Sequence, residues 1–179
     1  MLIVLSPAKT LDESPCQVKG MTQPVFIDKS AQLIRKLQRL SVPKVKTLMG
    51  LSDKLAELNK RRYDSFSTPF TADNAKPAAL MFMGDVYEGL QFGQFGGRDR
   101  AWSQDHLRIL SGLYGLLRPL DLIQPYRLEM GTRFSVGRAR DLYKFWNGSI
   151  TEQINAALVE QNDDLLVNLA SNEYFGAVQ

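Results

Sequence analysis

Near its beginning the sequence reads Ile3-Val4-Leu5-Ser6-Pro7, a short apolar run that ends on a serine and a turn residue. Two later stretches have the same form, Leu107-Arg108-Ile109-Leu110-Ser111-Gly112 and Leu165-Leu166-Val167-Asn168-Leu169-Ala170-Ser171-Asn172. Apolar runs of this length, bounded by turn residues, are typical of strands buried in a parallel sheet. The sequence therefore predicts an α/β fold with a mostly parallel or mixed sheet flanked by helices.

The ends of these three runs predict a binding surface. In open α/β sheets, ligands bind beyond the carboxyl ends of the strands, so we expect Ser6, Ser111 and Ser171 to form one polar surface, the strand-end rim. Residues from motifs near these ends complete the candidate set: Lys9, Tyr87, Gly112, Tyr114, Arg118, Tyr126, Arg127, Glu129, Asn168 and Glu173. Alternatively, each serine caps the helix that follows it. The two interpretations are compatible, because helix N-termini bind anions.

Composition narrows the classes of function. The chain has 179 residues, 44% of them hydrophobic, which is enough for one domain over residues 1–179 with a core of its own. Its net charge of +3 fits an anionic partner without requiring one. A single cysteine, Cys16, and a single histidine, His106, exclude a disulfide framework and a zinc cluster. We expect no cofactor and no metal site.

The location and the remaining elements can also be predicted. No signal-like start and no run of membrane-spanning length is present, so we expect a cytoplasmic protein that does not contact membranes. We also expect a monomer. Apolar periodicity predicts a helix over Asp28–Leu40 and another over Ser149–Glu160. Ala78–Met83 is predicted as a strand, and residues 91–101 as a flexible polar connection.

Residues 43–62 are predicted to form two short helices joined at Gly50. The segment Leu48–Ala56 resembles a helix-hairpin-helix, in which the turn and the following helix N-terminus point N–H groups at a phosphate. Serine replaces the motif's second glycine at position 52. The candidate DNA-binding residues of this subdomain are Lys44, Lys46, Gly50, Ser52, Lys54, Lys60, Arg61 and Arg62. The alternative is a plain αα-hairpin with a solvated basic face.

Two further segments bear polar side chains suited to ligand binding. In Ser111–Asp121, Tyr114 could stack on a base and Arg118 could hold a phosphate, or else the glycines serve packing and Arg118 pairs with Asp121. Pro125–Met130 alternates like a short strand, which places Arg127 and Glu129 on one face. Taken alone, these two residues are interpreted as an ion pair.

Five motifs together resemble those of the YaaA family of peroxide stress proteins, and the resemblance extends over essentially the whole chain. The motifs are Ser6-Pro7-Ala8-Lys9-Thr10, Gly84-Asp85-Val86-Tyr87-x-Gly89-Leu90, Leu110-Ser111-Gly112-Leu113-Tyr114-Gly115-Leu116-Leu117-Arg118-Pro119-Leu120-Asp121, Pro125-Tyr126-Arg127-Leu128-Glu129-Met130-Gly131 and Asn168-Leu169-Ala170-Ser171-Asn172-Glu173-Tyr174-Phe175. The stretch from Leu110 to Met130 is the most specific of them.

The resemblance implies a cytosolic protein of the hydrogen peroxide response that helps to limit unincorporated iron and the oxidative damage it causes. It also implies an α/β fold peculiar to the family, with a helix-hairpin-helix, here Lys44–Arg62, and a positively charged cleft that binds DNA. Family proteins are longer than 179 residues, so we expect a C-terminally truncated form. No catalytic residues are carried over, and without a His/Cys cluster we expect the effect on iron to be indirect, with no direct iron binding.

Two functions are therefore predicted. The first is a stress protein that binds double- or single-stranded DNA through the basic hairpin and the adjoining cleft. The alternative is an enzyme that acts on a nucleotide or a nucleic-acid base at the strand-end rim, with Lys9 or Glu129 as the base.

Overall fold

A computed structural model describes all residues, 1–179, and shows a mixed α/β fold. The strands are β1 Leu2–Leu5, β2 Thr10–Leu11, β3 Lys76–Pro77, β4 Phe82–Met83, β5 Leu107–Ser111, β6 Gly115–Leu117, β7 Leu122–Ile123 and β8 Leu166–Asn168. The helices are α1 Ile27–Gln38, α2 Val42–Met49, α3 Asp53–Asp64, α4 Ala78–Met81, α5 Asp85–Leu90, α6 Gly97–His106, α7 Leu142–Trp146, α8 Ser149–Glu160 and α9 Asn172–Phe175. A 3₁₀ turn covers Phe92–Gln94.

The main sheet has four strands in the order β6-β5-β1-β8. The three apolar runs form its parallel part, with Ile3 opposite both Leu107 and Val167. The fourth strand, β6, runs antiparallel to β5 and begins at Gly115, whose φ of +71° closes a tight turn. The predicted parallel strands are confirmed, and the hairpin partner makes the sheet mixed.

Helices cover both faces of this sheet, because alternate residues of a strand point to opposite sides. Leu107 lies beside Trp102 and Ser103 of α6 on one face. Arg108 points the other way, beside Gln153 and Ala156 of α8. Leu2 and Val4, on the α8 side, are fully buried, so the densest packing lies on that face.

The helical hairpin packs on the main core. Helix α1 packs against α3 of the hairpin and buries Leu33, Ile34 and Leu37 along one stripe, as the periodicity predicts. In the hairpin, Val45 of α2 and Ala56 and Tyr63 of α3 belong to the same hydrophobic cluster as the sheet residues. The hairpin is therefore held in a fixed position relative to the sheet.

Two elements differ from the sequence-based expectation. Ala78–Met83 is not one strand: residues 78–81 form α4, and only Phe82 and Met83 form a short strand that pairs with β2. A short apolar run cannot distinguish strand from helix, and alanine, leucine and methionine favour a helix. Part of the expected flexible connection at 91–101 is the first half of α6, which starts at Gly97.

Candidate nucleic-acid interface and strand-end rim

Two of the three strand-end serines lie together. Ser6 follows β1 and Ser171 follows the neighbouring β8, so the parallel pairing brings them to the same edge. The Ser171 N–H donates to Ser6 Oγ at 2.9 Å, and the two hydroxyl oxygens are 3.3 Å apart. Asn168, at the end of β8, accepts a hydrogen bond from the Ala170 N–H at 2.9 Å. These hydrogen bonds close the turns that follow β1 and β8, and Asn168 and Ser171 remain exposed to solvent.

The third serine lies inside the protein. Ser111 is fully buried, and its hydroxyl lies 2.6 Å from the Tyr126 hydroxyl and accepts from the Tyr114 N–H at 2.9 Å. Tyr114 is also fully buried, and its hydroxyl bonds both the N–H and the carbonyl of Gln124, at 3.0 and 3.1 Å. Burial raises the pKa of Tyr114 well above its usual value. Tyr114 thus has no exposed face on which a base could stack, and it fixes the segment after β7.

Gly112 serves close packing rather than approach to a ligand. A Cβ at this position would lie 2.2 Å from the carbonyl oxygen of Leu128. The Gly112 carbonyl also accepts a hydrogen bond from the Trp146 indole N–H at 3.2 Å. Only glycine allows the 128–129 backbone to come this near the β5–β6 turn.

Arg118 is remote from the rim. Because β6 is antiparallel to β5, with Leu117 opposite Ile109, Arg118 lies near the amino end of β5. The Nε atom of Arg118 lies 3.3 Å from Oδ1 of Asp121, and the main-chain N–H of Arg118 donates to Oδ2 of the same carboxylate at 2.7 Å. The candidate site therefore loses Arg118, and the predicted alternative, an ion pair with Asp121, is confirmed.

A chain of charges occupies the exposed side of the rim. Glu129 forms an ion pair with Lys9 through Oε2, at 3.0 Å, and accepts a hydrogen bond from Arg127 through Oε1, also at 3.0 Å. Glu173 accepts from the Gly131 N–H at 2.8 Å. Residues 125–130 are not a strand, yet Arg127 and Glu129 do share one face, as the alternation predicts.

Two buried tyrosines form hydrogen bonds with rim residues from the interior of the protein. Tyr87 donates to the Ser6 carbonyl at 2.7 Å, and Tyr126 donates to or accepts from Ser111. Burial raises the pKa of both hydroxyls, so they remain neutral donors. The cavity between residues 7–9, 126–129 and Tyr174 is about 10 Å³. That volume holds about one water molecule, so this cavity is too small for a substrate.

The hairpin turn places the N-terminus of one helix directly after the end of another. Helix α2 ends at Gly50, whose φ of +61° and ψ of +40° are left-handed, and Ser52 caps α3 by accepting from the Leu55 N–H at 3.4 Å. The first N–H groups of a helix have no intrahelical partner. The main-chain N–H groups of Ser52, Asp53 and Lys54 therefore point out of the turn, at the positive end of the α3 dipole.

Its six basic side chains fall into two groups. Lys46 pairs with Asp53 at 2.8 Å, Lys60 pairs with Asp64, and Arg62 pairs with Glu13. The other three are exposed and form no ion pair: Lys44, Lys54 and Arg61. These three cations of the hairpin therefore carry charge that no carboxylate of the protein neutralises.

Two features of the interface were missed at the sequence level. Tyr63 joins the hairpin to the rim by donating to the main-chain carbonyl of Arg127. A groove of about 480 Å³ runs beside α2, with Lys36 of α1, Lys44 of α2 and Arg133 on its walls. The spacing of Ala56, Asn59 and Tyr63 along α3 signals the buried tyrosine, whereas the groove joins distant segments that no local pattern connects.

Nowhere do three or more histidine, cysteine, aspartate or glutamate side chains lie close enough together to hold a metal ion. None of the helices combines the length and the apolar composition needed to cross a membrane.

Comparison with known proteins assigns the chain to a family. The family model described as peroxide stress protein YaaA matches residues 1–179. A protein of Cellvibrio japonicus (strain Ueda107), named UPF0246 protein, is 57% identical over 180 residues. This match covers 100% of the chain and 70% of the relative. The chain therefore belongs to the peroxide stress protein YaaA family, which supports a role in peroxide stress.

Proposed function

We propose that this protein binds DNA in the cytoplasm as a monomer during peroxide stress, through the hairpin turn and the basic groove beside it. One observation carries the proposal: the free N–H groups of the Ser52–Lys54 turn lie on the same hairpin as three unpaired cations, Lys44, Lys54 and Arg61. N–H groups at a helix N-terminus and flexible cations together form a phosphate site that does not depend on base sequence.

The path of a bound strand follows from the positions of the charges. Lys44 belongs both to the hairpin and to the groove, where Lys36 and Arg133 continue the positive surface. Lys36 bonds the Ser135 carbonyl, and its ammonium lies 5.2 Å from the centre of the Phe134 ring. We propose that the phosphodiester backbone runs from the α2–α3 turn into this groove.

Fluorescence anisotropy with a labelled duplex and a labelled single strand, across a salt series, tests the proposal. We expect affinity to fall steeply with salt, because each neutralised phosphate releases counterions. The double variant Lys54→Glu/Arg61→Glu should bind at least about tenfold more weakly and with a salt slope smaller by about 2. Lys19→Glu/Arg98→Glu makes the same change in net charge at exposed positions outside the hairpin and should bind like the wild type.

Two outcomes would contradict the hairpin assignment. One is an unchanged affinity in Lys54→Glu/Arg61→Glu. The other is an equal loss in both double variants, which would mean that net charge alone governs binding.

The proposal extends to iron-mediated damage. A protein that covers DNA limits the access of hydroxyl radicals formed from Fe(II) and peroxide, without holding iron itself. We expect the wild-type protein to slow the nicking of supercoiled plasmid by Fe(II) and hydrogen peroxide. The variant Lys54→Glu/Arg61→Glu should not slow it, and equal protection by both would show that protection does not depend on binding at the hairpin.

A further inference from the structure

Strand β8 has an open edge. It pairs only with β1: the Leu2 N–H donates to the Leu165 carbonyl at 2.8 Å, and the Leu169 N–H donates to the Val4 carbonyl at 3.0 Å. Main-chain groups alternate in direction along a strand. The N–H and carbonyl groups of Leu166 and Asn168 therefore point away from β1, toward an edge with no neighbouring strand.

The sequence of β8 is that of an interior strand. Residues 165–170 contain no charge and no proline, which are two of the devices that protect natural edge strands from pairing. Leu165 and Leu169 are 52% and 62% exposed on one face, while Leu166 packs against the core on the other face. A strand that is apolar on both faces is typical of the buried middle of a parallel sheet.

An apolar groove adjoins this edge. It is about 510 Å³ in volume and lies between the sheet face, with Ile3, Leu5 and Leu169, and the helices that carry Val86 and Trp102. Val86 and Trp102 are 49% and 47% exposed. A contiguous apolar surface of this kind marks a site of contact with another segment or protein.

We propose that the β8 edge and the groove bind an extended polypeptide of the kind that the Cellvibrio japonicus relative carries outside the matched region. Unpaired main-chain groups in a row are complementary to another strand, and the groove offers pockets for apolar side chains on one side of that strand. The relative contains polypeptide that could occupy this surface, because the match, at 57% identity, covers only 70% of its length. This proposal does not depend on DNA binding.

A second copy of this chain fits the surface less well. Edge-to-edge pairing of two β8 strands would give hydrogen-bond partners to the main-chain groups of Leu166 and Asn168. It would, however, only extend the sheet in its own plane. The groove lies above the sheet face, between Leu169 and Trp102, and would stay open. A longer segment can both pair with the edge and fold over the groove.

Amide hydrogen exchange tests the proposal in two ways. In the 179-residue chain, we expect the amides of Leu166 and Asn168 to exchange at close to the rate of an exposed strand. In the intact relative, the two aligned amides should exchange at least about tenfold more slowly. Adding the relative's unmatched region, expressed separately, to the 179-residue chain should slow the same amides in a 1:1 complex.

Variants identify the surface. Leu169→Asp, placed in the groove, should weaken the 1:1 complex at least about tenfold. Val159→Asp changes a residue that is 79% exposed on α8, outside the groove, and should leave the complex unchanged.

Unprotected amides at the two aligned positions in the intact relative would overturn the proposal, whether or not the separate region folds. Self-association of the 179-residue chain that Leu169→Asp abolishes would assign the surface to a second copy and would equally overturn it.

Discussion

The hydroxyl of Tyr63, near the end of α3, donates a hydrogen bond to the main-chain carbonyl of Arg127 in the strand-end rim. The guanidinium of the same Arg127 pairs with Glu129, which in turn pairs with Lys9 after β1. The helical hairpin and the ends of the strands are therefore parts of one rigid surface. A DNA strand bound at the hairpin turn would therefore keep a fixed position relative to the rim.

Loss of this contact should measurably destabilise the protein. Tyr63→Phe leaves the Arg127 carbonyl without its donor inside a packed interface, and we expect the free energy of unfolding to fall by about 1 kcal/mol. Urea denaturation measures it. Tyr143→Phe removes a hydrogen bond to the Glu173 carbonyl at an exposed position and should have a smaller effect. Equal stability of Tyr63→Phe and the wild type would show that the contact does not hold the hairpin.

The acidic residue at the hairpin turn should weaken DNA binding. Asp53 opens α3, is 78% exposed and pairs with Lys46, so its charge reduces the positive potential at the turn. We expect Asp53→Asn to bind DNA about two- to fivefold more tightly at low salt. Anisotropy measures the affinity, with Glu57→Gln on the same helix as the control. A weaker affinity in Asp53→Asn would mean that the turn does not face a phosphate.

Gly112 should not tolerate a side chain. A Cβ there would lie 2.2 Å from the Leu128 carbonyl oxygen, so either the β5–β6 turn or the 128–129 backbone has to move. We expect Gly112→Ala to cost at least about 2 kcal/mol, in the range of overpacked cores. Gly89→Ala in α5 meets nothing within 4 Å and should be neutral or stabilising. Similar denaturation midpoints for the two variants would contradict this account.

The contacts of Asp12 with Ser14 and Lys76 should make the stability of the protein depend on pH in the acid range. Hydrogen bonds from the Ser14 hydroxyl, from the Lys76 ammonium and from the Ser14 N–H lower the pKa of the Asp12 carboxyl to about 2. A carboxyl whose pKa is lowered by folding stabilises the protein above its unfolded pKa of about 4, and the effect is lost as the pH falls toward 2.

Denaturation at several pH values tests this expectation. Asp12→Asn should lose less stability than the wild type between about pH 4 and pH 2. Lys76→Met should reduce the same pH dependence in part, because it removes one of the partners that lower the pKa. An equal loss in Asp12→Asn and in the wild type would assign the acid sensitivity to other groups.

The sheet was predictable and much of the rim was not. Three apolar runs indicate three parallel strands, because burial on both faces leaves a continuous apolar pattern. Whether a strand-end serine faces solvent depends on what packs over it. Ser6 and Ser171 meet at the surface, whereas Tyr126 covers Ser111 from a segment that no local pattern relates to it.

The hairpin was predicted more accurately, because its signals are local. Gly50 ends α2 in a left-handed conformation and Ser52 caps α3, as their residue types indicate. The pairing of its cations was not predictable, since Glu13, which holds Arg62, is 49 residues away in sequence. Lys44, Lys54 and Arg61 are consequently distinguished from their neighbours only by the structure.

The most direct test of the central claim follows the main-chain amides of Ser52, Asp53 and Lys54 by NMR during titration with a short DNA duplex. If the turn holds a phosphate, these three amides should show the largest shifts, followed by those near Lys44 and Arg133 in the groove, and the shifts should disappear at high salt. Binding that leaves the Ser52–Lys54 amides unshifted, with changes confined to other surfaces, would contradict the claim that the hairpin binds DNA.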